Sequence, residues 1–124
     1  MSYELIFWRQ TPAQTKSPLS VHESLMNEIH VDGLVELPID GILSRVMHDF
    51  PGTVRESNGP SEWLTWVSQN EKDSFEVAWS RQHVRVDCRH LHSDQMNQLI
   101  EIGAAFGCPL FDPQTNERFS QVDE

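Results

Sequence analysis

At 124 residues, with 38% hydrophobic and 23% charged residues, the chain has the size and composition of one globular domain, large enough to bury a core without a disulfide framework or a metal. A formal net charge of −10 argues against nucleic-acid phosphates and anionic membranes as ligands and favours a basic protein partner. No apolar run approaches the roughly 20 residues that span a bilayer, and the opening residues lack a signal peptide's basic segment and cleavage site, so a cytoplasmic protein with free thiols at Cys88 and Cys108 is expected.

In chain order, Tyr3 to Trp8 reads as a strand. Tyr3, Leu5 and Phe7 share one face and Ile6 and Trp8 the other, the pattern of a central strand covered on both sides. Ser17-Pro18 opens a first helix, with Ser as cap and Pro in the first turn, and Ser20-Val21-His22-Glu23 offers a competing capping box one turn later. Its stripe is Val21, Leu25 and Ile29, and it is expected to run to Asp32-Gly33. A second helix follows, with Ile39, Ile42, Leu43, Val46, Met47 and Phe50 on one face, between Pro38 and Pro51-Gly52.

Thr53 to Ser61, rich in Gly, Pro, Ser and Asn, reads as an exposed loop. Three strands are expected next, Glu62 to Ser68, Ser74 to Ser80 and His83 to Arg89, joined by short turns into an antiparallel meander. Ser93 is expected to cap a last helix that stops at Gly107. Asp112-Pro113-Gln114-Thr115-Asn116 makes a turn between Leu110-Phe111 and Arg118-Phe119. The sum is an α+β fold over residues 1–124 as a single domain, with the last few residues flexible. Its mostly antiparallel sheet has four or five strands and three helices, in the order β-α-α-β-β-β-α-short hairpin. Packing the helices on one face is the economical arrangement.

Complete catalytic motifs are lacking: there is no phosphate-binding Gly loop, no GxSxG and no HExxH. Cys88, His90 and His92 would share a face if their strand continued, at spacings that zinc could use, but no paired ligand motif completes a site, and none is assigned. No cofactor is expected. The alternative readings are a small enzyme or ligand-binding domain using His and Cys near the sheet end, or an interaction domain unrelated to toxins.

The charge distribution points to binding. Residues 21 to 40 hold Glu23, Glu28, Asp32, Glu36 and Asp40 with no Lys or Arg among them. Trp63 and Trp66 are three apart in one strand, so they face opposite sides, and with helices on a single face one of them lies away from the core as an anchor for a partner. These seven residues are the candidate partner-binding set.

The opening Ser2-Tyr3-Glu4-Leu5-Ile6-Phe7-Trp8, the stretch Ser80-Arg81-Gln82-His83-Val84-Arg85-Val86 and the run Phe106-Gly107-Cys108-Pro109-Leu110-Phe111-Asp112-Pro113-Gln114-Thr115-Asn116-Glu117-Arg118-Phe119 together resemble a family of small uncharacterised bacterial cytosolic proteins. Asn116 stands where that family's turn would have Gly, and Asn also accepts the left-handed backbone. In size, acidity and α+β pattern the chain also resembles bacterial toxin-immunity proteins. That second resemblance implies an inhibitor that occludes a basic, secreted toxin domain with an acidic surface.

Overall fold

The computed structural model describes residues 2–118. The expected flexible tail, and Phe119 at the end of the hairpin, lie outside them. The seven strands are β1 (Ser2–Phe7), β2 (Val54–Asn58), β3 (Ser61–Val67), β4 (Ser74–Trp79), β5 (Val84–Arg89), β6 (Leu110–Asp112) and β7 (Glu117–Arg118). They form one sheet in the order β2-β3-β4-β5-β1-β6-β7, with every neighbouring pair antiparallel. The helices are α1 (Pro18–Met26), α2 (Ile39–Asp49) and α3 (Ser93–Ala105).

The α+β class and three helices agree with the sequence reading, but the sheet has seven strands rather than four or five. One addition is β2, in the segment read as a loop. Its five residues are all exposed, so no apolar alternation marks it, and backbone pairing to β3 alone makes it a strand. Gly59-Pro60 closes that hairpin, with Gly59 at φ 63 as the mirrored two-residue turns require. The rest of the count comes from the C-terminal hairpin, which joins the main sheet through Ile6↔Phe111 and Phe7↔Leu110.

The helices do not share a face. Leu5, Phe7, Val77, Val86 and Leu64 pack under α2 and α3 in the larger core. Ile6, Trp8 and Phe111 turn the other way and are covered by Val21 and Leu25 of α1 and by Val31. A strand that is apolar on both sides needs a layer on both sides, and α1 supplies the second. It covers Ile6 and Trp8 on the β1 side and Phe111 of β6. Glu4, Asp87, Glu76 and Thr65 on the same face line an open concavity instead.

Ser17 caps α1 by accepting from the Ser20 N–H at 3.2 Å, as expected. The helix stops at Met26, short of the expected Asp32-Gly33, and Glu28 takes a left-handed φ of 58. Ile29 therefore leaves the apolar stripe and is 56% exposed. At the last helix the cap is His92 rather than Ser93, and the His92 N–H donates to Gln95 Oε1 at 2.8 Å. Asn116 adopts φ 59, the left-handed conformation its turn demands.

Three contacts fix the C-terminal hairpin and α3. Tyr3 Oη donates to Asp112 Oδ2 at 2.5 Å, and the Gln114 backbone N–H donates to Oδ1 at 2.9 Å. Burial pushes the Asp112 carboxyl up, but its hydrogen bonds from Tyr3 and Gln114 outweigh burial and hold it below the usual carboxylate range. Gly103 of α3 sits against β1, where an added Cβ would come 2.5 Å from the Phe7 ring and 2.9 Å from the Cys108 carbonyl oxygen. Gly103→Val should cost about 1–3 kcal/mol through overpacking. A denaturant midpoint equal to wild type would show that α3 and β1 are not in this contact.

Candidate functional site

Past α1 the chain crosses the sheet end at the β4–β5 turn as an irregular strap, residues 27–38. Its alternate residues are tied down through their own backbone groups. The Gln82 side chain donates to the Val31 carbonyl at 2.8 Å and accepts from the Val31 N–H at 3.0 Å. Thr11 N–H donates to the Gly33 carbonyl at 2.8 Å, Val35 N–H to the Arg9 carbonyl at 2.7 Å and Leu37 N–H to the Arg81 carbonyl at 2.8 Å. Val31 and Leu37 turn inward, so Glu28, Asp32, Glu36 and Asp40 all project to solvent. Glu23, on α1, is exposed as well.

The five carboxylates are not without a counter-charge in space. Arg81 lines one shallow groove with Glu28 and a second with Glu36 and Asp40. Its position across the sheet end was not readable from local spacing. Even so, the strap shows three acids, and α2 adds Asp40 beside them, to one guanidinium.

The two tryptophans separate as strand alternation requires. Trp66 packs with Phe50 and Phe75 at centroid distances of 5.4 and 5.3 Å, so its ring belongs to the larger core. Trp63 is half-buried on the opposite, uncovered face. That face also carries a feature that sequence reading missed. Glu4 of β1 pairs with Asp87 of β5, and Asp87 with Glu76 of β4, so three carboxylates stand in one cross-strand row. Thr65 and then Val54 continue the row. Like charges directly opposite are unfavourable, and burial together with the neighbouring Asp87 pushes the Glu4 carboxyl up. The residues were visible in the sequence, but their alignment depends on strand registers that no local pattern states.

The histidines and cysteines do not assemble into a reactive site. β5 ends at Arg89, and His90 turns left-handed at φ 57, which breaks the alternation that would have aligned it with Cys88 and His92. Cys88 is buried in the larger core while His90 and His92 are exposed. His92 Nε2 instead lies 3.5 Å from Asp73. Among the described residues no three His, Cys, Asp or Glu side chains converge as metal ligands. Burial pushes the Cys88 thiol up to about 12 and the Cys108 thiol up to about 11, so both are protonated at neutral pH and poor nucleophiles.

His83 is the one buried histidine. Its Nδ1 is 2.7 Å from Ser80 Oγ, beside a groove lined by Trp79 and Ile29. The pair looks like a nucleophile and its base, but burial first, then the Arg85 guanidinium and His22, push His83 down to about 4. A base so weak takes little of a serine proton near neutrality. Ser80 Oγ also accepts the Gln82 N–H at 3.1 Å, so the group serves the β4–β5 turn.

No helix among the described residues is long and apolar enough to cross a membrane. In comparisons with known proteins, no family model and no curated protein matches the chain.

Proposed function

We propose that this protein is a binding module that neutralises a basic protein partner by covering it, in the manner of a toxin-immunity protein. The observation that supports this reading best is the strap. Glu28, Asp32 and Glu36 are exposed on a segment without helix or strand of its own, with Asp40 exposed in the first turn of α2 just beyond it, yet the backbone of that segment is fixed at Val31, Gly33, Val35 and Leu37. Ordering a loop on binding costs free energy, and a loop already ordered avoids that cost. Charges held in place steer a basic partner into encounter, and the effect weakens as salt shortens the Debye length to about 8 Å at physiological ionic strength. The enzyme reading has less support, because both thiols are pushed up by burial and His83 is pushed down.

The test is to isolate the partner by affinity capture and measure its association rate against salt. Wild type is compared with a triple variant, Glu28→Lys, Asp32→Lys and Glu36→Lys. The variant should associate at least about tenfold more slowly at low salt and lose most of the salt dependence. A folded variant with unchanged association would remove the strap from the interface.

A further inference from the structure

Charges on a rim govern how fast two proteins meet, whereas desolvated contacts decide how long they stay together. The strap supplies the first kind. For the second kind the strongest candidate is the uncovered part of the sheet, a concavity of about 510 Å³ floored by Thr65, Glu76, Asp87 and Glu4. Its composition is divided. At one end Val67 lines it and is 49% exposed, Val54 is 56% exposed opposite Thr65, and Trp63 is half-buried two residues from Thr65 in the other direction along β3. At the other end stand Glu76, Asp87 and Glu4, with Arg89 as the guanidinium that lines the concavity. Arg85 pairs with Asp87 at 3.4 Å but also turns toward α1, where its Nη1 lies 3.8 Å from Met26 Sδ. Glu76 is in no ion pair among the described residues.

Such a face lowers the stability of the free protein twice over. Aliphatic side chains are left in water, and carboxylates are set against one another on adjacent strands. Both penalties disappear if a chain bearing an aliphatic residue followed by cations lies along the row. We infer that this uncovered half-face is the seat of a basic segment of the partner protein, with an aliphatic side chain on Val54 and Val67 and lysines or arginines over Glu76, Asp87 and Glu4. Strands lie about 4.8 Å apart, so Thr65 to Glu4 spans roughly 14 Å. An extended peptide places every second side chain roughly 7 Å further along, which sets one aliphatic and two basic side chains along that distance. The inference rests on the binding-module reading and locates its tight contact away from the strap.

The probe is a capped peptide, Leu-Thr-Lys-Thr-Lys-Thr, titrated into the full-length isotope-labelled protein and followed by amide chemical shifts. A control peptide has glutamate in place of both lysines. Shifts should cluster at Thr65, Val67, Glu76 and Asp87, and the control should leave them in place. The double variant Glu76→Gln, Asp87→Asn should bind the lysine peptide at least about tenfold more weakly. Glu76→Gln alone should melt no lower than wild type, because it removes a repulsion; a structural role for Glu76 would lower the melting temperature. Shifts confined to residues 28–40 would overturn this inference and leave the proposed function standing. The absence of binding, or equal binding of the control, would also overturn it. If the same amides broaden with protein concentration alone, a second copy of the chain occupies the face and the inference fails.

Discussion

Val46→Asp should leave the protein unfolded at neutral pH. Val46 is 3% exposed in the middle of the α2 stripe and borders a small apolar cavity with Ile42, Phe7, Val84 and Leu99. No cation lines that cavity and its one side-chain donor is the weak Cys108 thiol, so an aspartate there must stay charged without an adequate partner or take up a proton. The effective penalty for burying an unpaired ion is several kcal/mol, and the lost methyl contacts add to it. Domains of this kind have about 5–15 kcal/mol in total, so the variant should lose its cooperative thermal transition. Ser44→Asp, two residues away on the exposed side of α2, should change stability by no more than about 0.5 kcal/mol. A Val46→Asp protein that melts cooperatively near wild type would mean that α2 does not bury this face.

The second large effect is an acid limb in stability set by His83. Its ordinary value of 6.5 falls to about 4 in the fold, because burial disfavours the imidazolium and Arg85 and His22 add repulsion. Between those values the unfolded chain binds a proton that the folded chain refuses, so stability rises with pH there. The contribution is fully present above 6.5 and is lost as pH falls through the window toward 4, amounting to about 3 kcal/mol. For a domain of this size that corresponds to roughly 10 °C in melting temperature. His22 is also lowered by burial and acts in the same direction, whereas Glu4, raised, acts in the opposite one. Thermal melts from pH 7 to pH 4 should show the limb in wild type and a shallower one in His83→Gln. Parallel curves for the two proteins would rule out His83 as its source.

The predictions draw on α2 and on the residue that leads into β5, two elements that could be read from the sequence because each carries its own pattern. Ile39 to Phe50 has helical periodicity, and Val84, Val86 and Cys88 alternate. β2 had no such mark: Val54-Arg55-Glu56-Ser57-Asn58 is exposed throughout, and only its pairing with β3 makes it a strand. The side taken by α1 was legible in part, since Ile6 and Trp8 need a cover, yet economy pointed to one helical layer. Of the candidate site, the acidic residues of the strap and the divergence of Trp63 from Trp66 were readable. Arg81 beside the strap was not, nor was the row of Glu4, Asp87 and Glu76, because both depend on contacts between residues far apart in sequence.

The interior position of β1 has a consequence for synthesis. β1 leaves the ribosome first among the strands, but its neighbours are β5 and β6. Until Val84–Arg89 emerges, Leu5, Ile6, Phe7 and Trp8 have no sheet to join, and until Leu110–Asp112 emerges, one edge of β1 remains unpaired. Contacts at such separation close slowly, and an apolar strand waiting with open edges is prone to pair with another chain. The last strands to be translated are therefore the ones that shield the first. A nascent chain halted after α3 would carry a sheet still able to recruit a strand from a neighbour.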